Sequence, residues 1–396
     1  MTPGSKPPQS FNFALFFFAY YGYVGVFSPY ASLYFADKNI SATQIGILMS
    51  MMQVMRIFGP NLWGWVSDHT RRRVLVLRMT SVAAAAIFTG MFWGESFAYF
   101  FVLLIVLNLF TSAQGPLSEA QMLSAMHGDL THYGRLRLWG SVGFIFAVMV
   151  SGQLLDAFGI TLMPTIALLL LLLVVVAAAG MREEVQQVHP HAMPSVRALL
   201  KQREVLAFFA STFLMVAAHA ALYVYFSLYL AQIGYSKTVI GMMWSLGVIA
   251  EILFFYWQAP IFRRYSLRAL MLLSLAVGVV RFALIGFAAD SLLLLLFAQL
   301  LHAATFGVHH SASVAVLQRW FAGPLQARGQ ALYISVSYGL GGSLGGLLLS
   351  ACWDKFGAAS VYTLASGLCA IGWVAAWLSF YWQRPMPASI YGRGQA

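Results

Sequence analysis

Charge is scarce in this chain of 396 residues: only 9% of its side chains are charged, and Asp and Glu together number 12. With 60% hydrophobic residues and a mean hydropathy of +0.77, a soluble core could not cover itself with polar surface. A polytopic membrane protein is expected. Cysteine is nearly absent as well; Cys352 and Cys369 make no framework, and free thiols are expected. The strict alternation of a barrel strand is missing, so helices are the expected spanning elements. There is no nucleotide loop and no nucleophile triad, so neither an enzyme nor a cofactor is expected.

What is there is a series of apolar runs, each about 20 residues long, the length needed to cross a bilayer as a helix. Twelve are expected, over residues 11–36, 44–66, 74–93, 97–126, 135–157, 160–181, 204–232, 238–260, 269–288, 291–320, 328–352 and 358–382. The first run is too long for a signal-peptide core and should remain as the first helix. The only sizeable loop carries Pro190 and Pro194. It divides the chain into an N-terminal six-helix bundle (1–181), a cytoplasmic linker (182–203) and a C-terminal six-helix bundle (204–396).

The net charge of +11 could suggest nucleic acid, but its distribution argues against that partner. Taken alternately, the loops put Arg71, Arg72, Arg73, Arg135, Arg182, Arg203, Arg263, Arg264, Arg319 and Arg328 on one side. Lys38, Lys237 and Lys355 fall on the other. This asymmetry is the positive-inside pattern and puts both termini in the cytoplasm.

Four ionisable residues interrupt the apolar runs: Arg56, Glu119, Glu251 and Arg281. Each costs about 2.5–3.5 kcal/mol near the bilayer centre, so each is a candidate site residue. Placing Ile45-Gly46 on Ile240-Gly241, a shift of 195 positions, puts Arg56 on Glu251, and both spans open with Thr-x-Ile-Gly. Related halves with an ionisable group at the same place suggest a transporter whose binding site lies between them.

The loop after the second span reads Gly64-Trp-Val-Ser-Asp68-His-Thr-Arg-Arg72-Arg73. Gly64 permits close helix approach, and the arginines can pair with Asp68 or with helix ends. This resembles the signature of the major facilitator superfamily, which implies two bundles rocking about a central cavity; the plainer alternative is a positive-inside cluster with an incidental aspartate. Pro116-Leu-Ser-Glu119, followed by Arg135-Leu-Arg137 and Phe144, is similar to the lactose-permease branch. The resemblance gives Glu119 and Arg137 substrate recognition and puts Phe144 where the sugar permease has a stacking tryptophan. A structural ion pair is the alternative.

Glu251, Arg281 and His302 resemble the residues this branch uses for substrate and proton coupling. One element departs. Thr305 stands where the branch has a second glutamate, so coupling by that residue cannot be carried over. That departure, with Arg56 and Ala218-His219-Ala220, is most similar to the 3-phenylpropionic acid transporter family. The resemblance implies proton-linked uptake of an aromatic acid. Arg56, Glu119, Arg137, Glu251, Arg281 and His302 are expected to line the cavity, with His219 also at the substrate, Glu251 as proton site and His302 as relay.

The first span carries Phe16, Tyr20, Tyr23, Phe27, Tyr30 and Tyr34 along one face. Either they form a cavity wall for an aromatic ring, with Tyr20 and Tyr23 at the substrate, or they serve helix packing. Gly339, Gly341, Gly342, Gly345 and Gly346 suit close helix contact in the eleventh span. His302, His309 and His310 share a helical face, but no ligand set for a metal accompanies them. The expectation is an all-α, twelve-helix secondary transporter in a bacterial inner membrane. It should act as a monomer and carry a small organic acid with protons; a sugar or nucleoside symporter or a non-transporting receptor are the alternatives.

Overall fold

The computed structural model describes residues 9–126, 129–183, 196–322 and 325–383. Its long helices are α1 (Ser10–Asp37), α2 (Ala42–Thr70), α3 (Arg73–Phe92), α4 (Phe97–Ala125), α5 (Leu130–Phe158) and α6 (Ile160–Ala179). After a one-turn helix at Arg197–Leu200 come α7 (Arg203–Gln232), α8 (Lys237–Arg264), α9 (Leu267–Ala288), α10 (Leu292–Trp320), α11 (Arg328–Phe356) and α12 (Ala358–Trp382). Residues 184–195, the middle of the expected linker, lie outside the described residues.

Local chemistry sets several helix starts. The side chains of Ser41, Ser96, Asp129, Ser236 and Ser266 each accept a backbone N–H of the first turn they cap. Eleven of the helices are long and apolar enough to cross a membrane. α2 has the length, at 29 residues, but Gln53, Arg56, Asn61 and Asp68 lower its hydropathy. Apolar side chains such as Leu169, Val176, Phe287 and Leu293 face outward, as a lipid-facing surface requires.

The helices pack as two six-helix bundles, α1 against α5 and α6 in the first and α7 and α9 against α12 in the second. The bundles meet mainly along α2 with α11 and α5 with α8. At one end this junction is built twice, by the same residues at the 195-position shift. Tyr30 of α1 donates to Val148 O (2.8 Å) and Lys237 O (3.2 Å); its counterpart Tyr225 of α7 donates to Ala42 O (3.4 Å). Opposite these tyrosines lie Gly241 and Gly46. A Cβ on Gly241 would sit 2.7 Å from Val148 O, and one on Gly46 would sit 2.5 Å from Ser350 Cβ, so only glycine permits this approach.

Carboxylates complete the same closure. Asp156 of α5 accepts from Lys237 N (2.9 Å), Thr238 N (2.8 Å) and Thr238 Oγ1 (2.6 Å) at the start of α8. Its other attraction is Lys237 Nζ, at 3.6 Å. In the mirrored place Thr43, at the start of α2, donates to Asp354 and to Ser350 O of α11. The two threonines of the repeated Thr-x-Ile-Gly turn thus meet a carboxylate of the opposite bundle, where a helix N-terminus favours negative charge.

Toward the other end the halves part. One buried cluster joins residues of both bundles at the closed end, whereas Phe13, Phe16 and Leu77 belong to a core of the first bundle alone. Val205, Phe208 and Leu270 form the corresponding core of the second. The opening lies on the side of the basic loops.

The α11 glycines make the close contacts expected of them. A Cβ on Gly345 would lie 2.5 Å from Ala217 Cα of α7, while Gly342 and Gly346 face Gln53 and Ser50 of α2. Gly64 does not behave as expected: nothing lies within 4 Å of its Cβ position, because at the open end α2 has no neighbour on that side. The surrounding signature acts on helix ends instead. Arg73 donates to Ala120 O and Ser124 Oγ of α4, both at 3.1 Å, and Glu183 accepts from Val74 N at the start of α3. Asp68 and Arg72 are exposed and form no ion pair among the described residues. Both cysteines are free thiols.

Candidate functional site

A cavity of about 380 Å³ lies between the bundles, within the size range of small-molecule sites. Arg56, Arg137, Phe144, Tyr20 and Tyr23 line it from the first bundle; Glu251, Arg281 and His302 line it from the second. The aromatic stripe of α1 divides by position. Tyr20, Tyr23 and Phe27 reach the cavity, whereas Phe16 is core and Tyr34 donates to Met91 O at 2.7 Å. The stripe therefore serves the cavity wall over its middle turns and helix packing at its ends.

Glu119 and Arg137 do meet, with Arg137 Nε 3.0 Å from Glu119 Oε1. Arg137 belongs to the cavity lining, and Glu119, about one-third exposed like Arg137, pairs with it from the preceding helix. Arg137 Nη2 also donates to Tyr21 Oη at 2.7 Å, and the guanidinium lies 4.2 Å from the Tyr21 ring centre. Tyr21 was not anticipated. Its role depends on Gly140, where a side chain would strike both the Tyr21 ring and Arg137, and sequence spacing carries no sign of that.

Across the cavity Glu251 Oε2 lies 3.7 Å from His302 Nε2. The His302 ring stacks on Phe306, with centroids 5.4 Å apart at 19°. Gly247, one turn before Glu251, packs on the same imidazole. Carboxyl and imidazole are thus within one small adjustment of a hydrogen bond.

Arg281 is 0% exposed and borders the cavity from just behind its surface. Its neighbours are neutral. Nε donates to Ala298 O (3.0 Å), Nη2 to Gln299 Oε1 (2.9 Å) and Nη1 to Thr305 Oγ1 (3.1 Å). Nη1 is also 3.5 Å from His219 Nε2. His219 Nδ1 lies 2.8 Å from Met215 O, and only a protonated Nδ1 can bond a carbonyl, so Nε2 is left as an acceptor. His219, buried, lines a small separate pocket rather than the cavity and stands against Arg281 from behind.

Among the described residues Arg281 forms no ion pair, and Arg56, which is exposed to the cavity, forms neither an ion pair nor a hydrogen bond. Thr305 explains the first case. It brings a hydroxyl to a guanidinium that a carboxylate would neutralise. Gln299 was missed, although a lone amide within the apolar run Leu292–Leu301 was a legible signal. The remaining α10 histidines are turned to other partners, His309 to Ser274 (3.1 Å) and His310 to Tyr338 (3.2 Å).

Three π-helical turns flank the cavity, at Ala221–Tyr225, Ala303–Val308 and Ile334–Gly341. They carry Tyr223, Phe306 and Tyr338 into its wall, and such turns frequently accompany functional sites.

The profile of the MFS_1 like family matches residues 10–364. A protein of Escherichia coli (strain K12) described as a probable 3-phenylpropionic acid transporter is 31% identical over 341 residues, 84% of this chain and 87% of that one. The maltose permease of Geobacillus stearothermophilus is 28% identical over 375 residues, 91% of each chain. Among solved structures, that of the nucleoside transporter NupG superposes with a TM-score of 0.82 at 17% identity, covering 95% of this chain and 100% of the other. That likeness extends to the fold.

Proposed function

We propose, from the premise that this chain belongs to the MFS_1 like family and is a transporter of the major facilitator kind, that it carries a small organic monocarboxylate together with a proton. The observation that carries this reading is a pair of cavity arginines, Arg56 and Arg281, without a carboxylate partner among the described residues. Arg137 is balanced by Glu119, and Glu251 is the remaining acid. Two unit charges about 6 Å apart interact by about 3 kcal/mol at an effective dielectric of 20, so the field of Arg281 is felt across the cavity wall. Arg56 supplies an accessible fork for a carboxylate. Tyr20, Tyr23 and Phe144 offer apolar faces to the rest of the substrate, which suits an aromatic acid, and the likeness to the 3-phenylpropionic acid transporter supports that choice.

Uptake into proteoliposomes tests the reading. 3-Phenylpropionate should accumulate, and its neutral amide should compete at least about 100-fold less well, the value of one charge contact near 3 kcal/mol. Competition by maltose or nucleosides in place of phenyl carboxylates would replace this reading with that of the sugar and nucleoside relatives.

Transport proceeds by alternating access, with bundles 1–181 and 204–396 as the moving bodies, both termini in the cytoplasm and the cavity opening inward. The doubled closure at the other end then faces outside. A capping carboxylate is worth about 1 kcal/mol, so Asp156→Ala should raise the outward-open fraction about fivefold. A single cysteine placed at Ser28 in a cysteine-free background reports this, through faster labelling by an impermeant maleimide in right-side-out vesicles. Unchanged labelling would show that Asp156 does not hold the gate.

A further inference from the structure

We infer that Gln299 and Thr305 determine the charge selectivity of the cavity, by holding Arg281 in place without neutralising it. This rests on the carboxylate reading above. Burying a guanidinium is expensive unless its donors are occupied, and the simplest occupant is a carboxylate. Here three neutral oxygens take that place: Ala298 O, Gln299 Oε1 and Thr305 Oγ1. Gln299 is 2% exposed and Thr305 1% exposed, so both are fixed by their surroundings. His219 Nε2, an acceptor by its tautomer, adds a fourth neutral group.

The donor inventory shows what the arrangement leaves over. A guanidinium has five N–H donors, and three are spent on oxygens. Each terminal nitrogen keeps one more, that of Nη1 aimed at an imidazole 3.5 Å away. The positive charge itself is not cancelled by any of these partners. It is therefore available to an anion in the cavity, and Gln299, which also lines that cavity, is the side chain through which it could be removed with least change of shape.

An amide and a carboxylate have the same outline, and Gln299 Oε1 already sits 2.9 Å from Nη2. Gln299→Glu would put an anionic oxygen in that position and create a buried ion pair with no new volume. Thr305→Asp would do the same from the Nη1 side, where the hydroxyl lies at 3.1 Å. Gln299→Met serves as the control, since it removes the acceptor and leaves the charge. These residues are positioning residues, and charge selectivity is a readout that a merely structural role would not move.

The test measures binding of 3-phenylpropionate and of 3-phenylpropionamide to the purified full-length protein by titration calorimetry. In Gln299→Glu the affinity for the carboxylate should fall about 100-fold relative to the parent, while that for the amide stays within a few fold. Thr305→Asp should repeat the pattern, and Gln299→Met should weaken both ligands by a similar, smaller factor. Carboxylate affinity that survives in both charge-introducing variants, each shown to be folded by its melting transition, overturns the inference. A parent protein that binds the amide as tightly as the carboxylate overturns the substrate reading and this inference with it.

Discussion

Glu251→Gln is expected to abolish accumulation of substrate under an imposed pH gradient while exchange of labelled for unlabelled substrate continues. Accumulation needs a group that carries the proton with the substrate, whereas exchange needs only a loaded carrier that reorients. Glu251 lies in the cavity wall with His302 Nε2 at 3.7 Å and, among the described residues, no arginine within ion-pair distance, which makes it the group proposed to carry the proton. Its neutral form leaves Arg56 and Arg281 as a net positive pair, and one substrate carboxylate then replaces the negative charge that Glu251 gave up. Binding of proton and anion therefore favour each other, which is what symport requires. A monocarboxylate moving with one proton transfers no net charge, so the membrane potential, worth about 2.3 kcal/mol per 100 mV for each charge, does not drive it. Acid outside should. Each pH unit supplies about 1.4 kcal/mol, or about tenfold accumulation at equilibrium. If the glutamine variant still concentrates substrate under the gradient, the proton is carried elsewhere and Glu119 becomes the candidate.

The second large effect separates the two members of the α4–α5 pair. Arg137 lines the cavity as a cation and Glu119 is the carboxylate that neutralises it, so for an anionic substrate their replacement should act in opposite directions. Arg137→Gln should weaken carboxylate binding by about tenfold or more, because it removes a cation from the wall and leaves Glu119 uncompensated. Glu119→Gln should leave carboxylate affinity unchanged or raise it by a few fold, since it frees the Arg137 charge. The pair is about one-third exposed, and solvent keeps the gain small. A sugar carrier would respond otherwise, losing affinity in both variants through lost hydrogen bonds to hydroxyls. Equal, severe losses in titration calorimetry of the two variants would thus favour the sugar reading and count against an anion.

Much of the architecture was legible because the bilayer imposes a length and a composition on every span. The twelve runs expected from hydropathy all correspond to helices, and five of them open at a Ser or Asp cap. The internal repeat was legible for the same kind of reason. Thr43 and Thr238, Gly46 and Gly241, Arg56 and Glu251 recur at a constant offset, and the structure puts the first two pairs at one doubled junction. Charge inside an apolar run was enough to mark Arg56, Glu119, Glu251 and Arg281, of which Arg56, Glu251 and Arg281 border the cavity, whereas Arg137 was marked by the family resemblance.

Which side of a wall a group occupies was a different matter. Glu119 and His219 sit on helices whose periodicity allows either direction, and only contacts between helices pair Glu119 with Arg137 and set His219 behind Arg281. Tyr21 joined the site through space left by Gly140, and Gln299 through a hydrogen bond across two helices; neither relation has a fixed spacing along the chain. Gly64, a motif residue, meets nothing, because the bundles have separated at that end. The sequence by itself determined the class, the spans, the repeat and the scarcity of intramembrane charge, since each follows from the cost of placing a residue in hydrocarbon. Only the tertiary structure decided which charges are paired and which are left for a ligand, because neutralisation depends on distances of a few ångströms between helices far apart in the chain.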